Sequence, residues 1–290
     1  MIKPQIICVA GPTASGKTSY AIQLAKKLDG EVVSCDSMQI YKYMNIGTAK
    51  PTKEEMEGIP HHMMDFVDPR GNYSVADYVK DAKECIADII NRGKMPIVCG
   101  GTGLYMDSLI SGIEFQGEKI DEKYRAELTE FAEKNGPEAL HKILEEADGE
   151  AAEKIHPNNV KRVIRALEII KSTGLTKTEA DRCALKEPEY NAEIFAIDMN
   201  REVLYDRINR RVDIMMEQGL LTEVEGLLKM GIPKEATAMQ AIGYKELISY
   251  FDGKCSVEEA IETIKRESRR YAKRQLTWFR RSSGIKWIKK

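Results

Sequence analysis

The chain has 290 residues, of which 42% are hydrophobic and 31% charged, with a net charge of −2. That composition supplies a packed core and excludes a disordered chain. No apolar run approaches the roughly 18 residues of a membrane span. The first apolar run starts almost at Met1, which leaves no room for a signal peptide, so a cytoplasmic protein is expected. The six cysteines (Cys8, Cys35, Cys85, Cys99, Cys183 and Cys255) form no C-x-x-C pair, a scatter that fits a reducing compartment. The net charge alone argues against nucleic-acid binding, but it is unevenly placed. Acidic residues dominate 121–153, whereas 262–290 holds eleven Lys or Arg against two Glu. A phosphate backbone responds to such a local face and not to the total.

In chain order, QIICVA (5–10) reads as a buried strand and 16–28 as a helix with Tyr20, Leu24 and Leu28 on one face and Gly30 as its stop. EVVSC (31–35) is a second strand, 77–92 a helix, and 95–99 a third strand that runs into Gly100-Gly101. This alternation predicts a parallel sheet with crossover helices. From about 120 to 187 the spacing is helical throughout. Val160, Val163, Ile164, Leu167 and Ile170 share a stripe there, with Pro157 in the first turn and Gly174 past the end. EIFAI (193–197) returns to a strand. Helices follow over 202–217, 223–229 (with Thr222 and Glu225 in a capping-box pattern) and 257–281. The expected fold is thus α/β, a P-loop NTPase-like parallel sheet with crossover helices and a helical insertion domain. Its expected boundaries are 1–115 for the first part of the core, 116–190 for the insertion and 191–290 for the second part.

The most specific local motif is Gly11-Pro12-Thr13-Ala14-Ser15-Gly16-Lys17-Thr18, which fits G-x-x-x-x-G-K-[ST] between a strand and a helix. Its backbone N–H groups and the helix N-terminus attract phosphate, Lys17 adds a full charge, and the Thr18 hydroxyl can hold Mg²⁺. The motif specifies a polyphosphate without specifying ATP. A kinase needs a metal-holding acid at another strand end, and Asp198 is the one candidate, a turn-starting Asp being the other reading of it. Asp36 and Thr102 follow strands at the same carboxyl edge as the loop. Asp36 is either a proton acceptor or metal ligand there, or a turn-former with Ser37.

Several segments together resemble the tRNA dimethylallyltransferase (tRNA isopentenyltransferase) family. They are GPTASGKT (11–18), DSMQIYKYMNIGTAKP (36–51), IPHHMMDFVDP (59–69), VCGGTGLY (98–105), HPNNVKRVIRALE (156–168), AMQAIGYKEL (238–247) and RRYAKRQLTWFRR (269–281). They keep the family's order over nearly the whole chain. The resemblance implies that N6 of the adenosine 3′ of the anticodon attacks C1 of dimethylallyl diphosphate and releases diphosphate. On that reading Lys17, the loop amides, Thr18 with Mg²⁺, and Arg211 of the R-I-x-x-R stretch hold the diphosphate. Asp36 acts as general base, with Thr102 and Gln39 orienting the base or nearby backbone. The implied tRNA contacts are Asp36, Ser37, Met38, Gln39, Thr102, Arg125, Arg162, Arg165, Gln240, Arg269, Arg270, Lys273 and Arg274. A departure from the family stretch H-x-N-D is Asn159, which keeps hydrogen bonding and loses charge.

The basic residues of the last helix and those at 161–165 suggest a clamp on an anticodon stem-loop, the other reading being solvated charged faces. Trp278 is expected to stack on unpaired bases, and Met38, Tyr41 and Met44 line the adenine pocket or belong to the core. His61, His62 and Asp65 have no further ligand near in sequence, so a structural role is expected. The expected partners are tRNA and dimethylallyl diphosphate, with no membrane, and the expected state is a monomer. The alternative function is a small-molecule P-loop kinase.

Overall fold

The short apolar runs become strands because both faces of each are covered, which selects Val, Ile and Cys without strict alternation. In a computed structural model that describes residues 3–115 and 121–290, the strands are β1 (Gln5–Ala10), β2 (Gly30–Ser34), β3 (His61–His62), β4 (Met95–Gly100), β5 (Asn191–Asp198) and β6 (Lys286–Lys289). They form one sheet in the order β3-β2-β4-β1-β5-β6. Every pairing is parallel; Ile7 lies opposite Ile97 of β4, and Cys8 opposite Ile194 of β5. Parallel strands leave the sheet at one edge, so the segments after β1, β2 and β4 are delivered together.

Helices α1 (Lys17–Leu28), α2 (Val75–Asn91) and α3 (Gly103–Ile110) belong to the same unit. Ala21 and Ala25 of α1 pack on Ile7, Val9, Val32 and Ile97 of the sheet. Tyr78 of α2 stacks on Tyr105 of α3 with ring centroids 4.3 Å apart. The stop of α1 falls one residue earlier than expected: Asp29 takes the left-handed cap (φ 51°), and Gly30 opens β2. Gly30 is there for space, since a Cβ would come within 2.6 Å of the Met95 carbonyl. Helix α2 begins at Val75 through a capping box between Ser74 and Asp77.

By contact density the chain divides into two compact units, Met1–Ile110 with Glu189–Lys290, and Ser111–Pro188. The second contains α4 (Glu122–Asn135), α5 (Pro137–Ala147), α6 (Gly149–Lys154), α7 (Val160–Thr173) and α8 (Lys177–Ala184). Its core joins Leu128, Leu140, Leu144, Val163, Ile164 and Leu167, so the stripe read on α7 is its buried face. Pro157 lies before α7, whose cap is Asn159, while Gly174 closes the helix as expected.

The first unit resumes with β5, α9 (Arg201–Glu217), α10 (Leu220–Lys229), a 3₁₀ turn (Thr237–Gln240), α11 (Tyr244–Phe251), α12 (Val257–Phe279) and β6. The expected capping box of Thr222 and Glu225 is not formed. Helix α10 starts earlier, behind a left-handed Gly219, because Leu220 is drawn into a core with Val224, Leu227, Tyr244 and Leu247. Tyr41 and Met44 belong to that core, fully buried, and not to a pocket. Among the described residues no helix is long and apolar enough to cross a membrane.

Candidate active site

After β1 the backbone curls through left-handed geometry at Ala14 (φ 63°) and Gly16 (φ 84°), and Gly16 caps α1 without a side-chain bond. Glycine accepts this conformation freely; alanine at 14 adds strain of roughly 1–3 kcal/mol, which surrounding structure must hold in place. The curl leaves the first N–H groups of α1 open to an anion. The Ser15 hydroxyl is buried with no hydrogen-bond partner among the described residues, a donor that the loop itself does not use. Lys17 folds back over the loop, its Nζ donating to the Pro12 carbonyl at 3.4 Å.

The loop opens on a cavity of about 340 Å³ lined by Thr13, Lys17, Thr18, Asp36, Ser37, Met38, Gln39, Arg211, Gln240 and Arg274, all expected from sequence. Of the charged groups on its wall, four are cations (Lys17, Arg211, Lys245 and Arg274) and one is a carboxylate, Asp36. Burial holds the Lys17 ammonium below its usual range; Arg211 pushes the same way, and Cys99 and Asp36 oppose. Burial likewise depresses Arg211, with Asp36 and Glu55 opposing. A pocket that crowds cations in this manner is prepared for an anion.

Asp36 is both things that its position allowed. Its Oδ1 accepts from the N–H of Met38 (2.9 Å) and Gln39 (3.3 Å), an Asx turn, while Oδ2 has no hydrogen bond among the described residues. The turn therefore fixes the carboxylate through Oδ1, and Asp36 lines the cavity. Thr102 stands beside it: its Oγ1 accepts from the Ser37 N–H at 3.1 Å, and its own N–H donates to the Cys35 carbonyl. This close approach needs Gly100, where a Cβ would come within 1.9 Å of that carbonyl oxygen. Gln39 turns its amide inward, accepting from Ser34 Oγ and donating to the carbonyls of Thr48 and Ala49, so it orients backbone.

The remaining expected residues divide sharply. Gln240 lies on the cavity wall and donates to the Lys234 carbonyl at 2.8 Å. On α12, Arg269 is bonded to Asn209 and Arg270 to Glu267 at 2.7 Å, while Lys273 is exposed with no ion pair among the described residues. In the helical unit, Arg125 makes a bidentate pair with Glu168 (2.7 and 2.8 Å), and Arg165 adds a longer contact at 3.4 Å. Arg162 is exposed. The Asn159 side chain makes no cap bond. Trp278 is anchored by its edge: its indole N–H donates to Asp107 at 2.7 Å, and its ring lies where a Cβ on Gly103 would fall. Asp198 pairs with Arg280 and is off the cavity wall. His62 bonds Glu31 at 2.6 Å, and His61 the Ile59 carbonyl, within the edge strand.

Sequence reasoning missed the inner face of α12. Ile264, Ser268, Tyr271 and Gln275 line the cavity at helical steps of four, three and four. That spacing was the available signal, masked by the arginines around it. Burial and the nearby Asp36 charge push the Tyr271 phenol up to about 12. From α9, Ile208, Val212 and Met215 add an apolar wall.

A sequence profile described as IPP transferase matches residues 39–282. The chain belongs to the IPP transferase family. A tRNA dimethylallyltransferase of Acetivibrio thermocellus is 51% identical over 286 residues, covering 98% of this chain and 91% of the relative. Among solved structures, the full-length tRNA isopentenylpyrophosphate transferase of Bacillus halodurans is 49% identical with a TM-score of 0.74, covering 99% of this chain and 90% of its own. A eukaryotic dimethylallyltransferase solved in action on tRNA is 33% identical with a TM-score of 0.82, over 99% and 74%. The family thus agrees with the resemblance carried by the motifs, and these neighbours share the P-loop-like α/β fold.

Proposed function

We propose that this chain transfers a dimethylallyl group from dimethylallyl diphosphate to N6 of the adenosine 3′ of the anticodon in tRNA. The observation that carries the reading is the cavity, in which the phosphate loop, four cations and one carboxylate, Asp36, share the lining. Tight anion binding beside a proton acceptor is what displacement of diphosphate by an amine requires. The similar proteins named above act on tRNA by their names, which supports the same substrate here.

In this mechanism the loop amides, Lys17 and Arg211 hold the diphosphate and stabilise the charge that develops on it as it leaves. The C1–N6 bond forms, the C1–O bond breaks with its electron pair going to diphosphate, and the amine proton passes to Asp36 Oδ2. Adenine nitrogen is a weak nucleophile, so this proton acceptance contributes roughly 10²–10⁴-fold. Thr102 and Ser37 fix the edge on which the adenine sits, and Tyr271 stays protonated beside them. An unpaired loop base is extruded at low cost, which suits an anticodon loop.

Magnesium fits the donor set. Thr18 offers a hydroxyl on the cavity wall, and no cluster of three or more His, Cys, Asp or Glu occurs among the described residues. An ion that keeps its waters and is shared with phosphates needs no more. When bound it neutralises charge on the leaving group. The tRNA grip is assigned to Gln240, Arg269, Arg270, Lys273 and Arg274 of the first unit and to Lys161 and Arg162 of the insertion. Arg125 and Arg165 contribute there by shaping the helices through Glu168. A kinase is disfavoured because Asp198 faces Arg280.

The test is a mass measurement. Protein, Mg²⁺, dimethylallyl diphosphate and an anticodon stem-loop should yield a gain of one C₅H₈ unit on the adenosine 3′ of the anticodon. No gain, with ATP consumed when small metabolites are supplied, would install the kinase reading instead.

A further inference from the structure

Gln275 is a polar side chain only 5% exposed, on the helix that also carries the basic strip. Its carboxamide is used at both ends. Oε1 accepts from the Thr13 N–H at 2.9 Å, inside the phosphate loop. Nε2 donates to the Gly101 carbonyl at 3.0 Å, in the turn that presents Thr102. The assignment has no flipped alternative, because an N–H must meet oxygen and a carbonyl must meet N–H. Gly101 is itself fitted to this amide: a Cβ there would come within 2.1 Å of Nε2 and 3.3 Å of the Gly11 carbonyl. Loop, turn and helix therefore converge on one carboxamide with no room for another group.

We propose that Gln275 is a positioning residue that locks the phosphate loop to the Gly101–Thr102 turn, setting the spacing between the diphosphate grip and the Asp36–Thr102 edge. The inference rests on the displacement reading given above and deepens it. Two elements must agree in that reaction: the loop fixes the leaving group, and the turn fixes the edge where the nucleophile approaches. They leave different strands, and the strand pairing of β1 with β4 ends at Ala10 and Gly100. Beyond that point the Thr13–Gln275–Gly101 bridge continues the register in side-chain hydrogen bonds. Misplacement of reacting groups by about 1 Å costs roughly 10²-fold in rate, so a bridge at this place acts on turnover more than on RNA affinity.

The experiment compares wild type, Gln275→Met, Gly101→Ala and the double variant. Methionine keeps the length and bulk and removes both hydrogen bonds; alanine at 101 dislodges the same amide from the other side. Affinity for inorganic diphosphate with Mg²⁺, affinity for an anticodon stem-loop, kcat and KM, and the thermal midpoint are measured on the full chain. The expected result is a loss of about 10-fold in diphosphate affinity, as for one lost buried hydrogen bond, and of about 10²-fold in kcat, with stem-loop affinity within about twofold. The double variant falls no further than the worse single one, as expected for two changes to one bridge. Wild-type behaviour of either single variant overturns the proposal, and so do additive losses. A parallel fall of diphosphate affinity, RNA affinity and thermal midpoint overturns it too, by making the amide a general packing element. If wild type itself fails to bind diphosphate, the displacement reading falls and this inference with it, which separates that failure from one seen in the variants alone.

Discussion

Two sets of buried or half-buried cations, one in each unit, serve opposite ends. In the sheet unit, Lys17 and Arg211 line the cavity with no ion pair among the described residues, and burial depresses the pKa of both. In the helical unit, Arg125 lies flat against a carboxylate that is 4% exposed, Glu168, and joins α4 to α7. Charge left unneutralised in a pocket destabilises the empty protein and stabilises an anionic complex. Charge that is paired across two helices does the reverse, holding the unit together and leaving little attraction for a ligand. The same residue type in the two places therefore answers to different measurements, binding in one and stability in the other.

The largest effect is expected at the lone carboxylate among the cavity cations. Asp36→Asn keeps an oxygen for the Met38 and Gln39 N–H groups and removes the proton acceptor. Turnover should fall by about 10²–10⁴-fold, with stem-loop affinity retained in a filter-binding assay. A variant that changes only the KM for RNA would assign Asp36 to the turn alone.

Lys17→Met comes next and tests the comparison directly. Losing a buried charge that contacts phosphate should weaken diphosphate binding by roughly 2–5 kcal/mol in calorimetry. Folding stability should stay unchanged or rise, because a lysine whose pKa is lowered by folding opposes the folded state wherever it is protonated. The sign for pH follows. The charged form binds the anion, so wild-type affinity falls as pH rises through a Lys17 pKa below the ordinary 10.5, and in the methionine variant this limb is absent. A drop in stability together with binding would place Lys17 with the structural cations instead.

Arg125→Met is the counterpart in the helical unit. It leaves Glu168 buried with the 3.4 Å contact to Arg165 as its remaining ion pair among the described residues. An unsatisfied buried acceptor costs about 1–3 kcal/mol, and solvent around the 44%-exposed guanidinium places this case toward the lower part of that range. Urea denaturation should show the loss, and diphosphate affinity should not move. Substitution to glutamine at Glu168 should recover part of it by removing the buried charge.

These contrasts also explain what could be read from the chain. The phosphate loop, Asp36 and the central strands are local: their meaning lies in adjacent residues, such as a glycine that permits a curl or an apolar run that permits burial. Arg125 and Glu168 are 43 positions apart, and nothing near either one signals the pair. Gln275 and Tyr271 were hidden because their neighbours are basic, although their helical spacing was visible. β3 has two residues and β6 four, and both form because a neighbouring strand offers an open edge, β2 for the first and β5 for the second. Nor does anything near Trp278 signal Asp107, 171 positions away, which accepts its N–H.

The smallest effect is expected on the outer face of α12, where cations are neither crowded in the cavity nor locked to a buried acid. Lys273 is exposed and without an ion pair among the described residues, while Arg270 holds Glu267 at 2.7 Å. If both meet RNA phosphates, each neutralisation lowers the slope of log affinity against log salt by about 0.7–0.9. Lys273→Gln should give the full change. Arg270→Gln should give less, because Arg270 must first release Glu267, whose own pairing with Arg266 at 3.5 Å is a weak substitute. Equal slopes for the two variants would mean that the Glu267 pair does not compete with RNA. Two unchanged slopes would return this face to ordinary solvated charge, and the tRNA grip of the first unit would then rest on Gln240, Arg269 and Arg274.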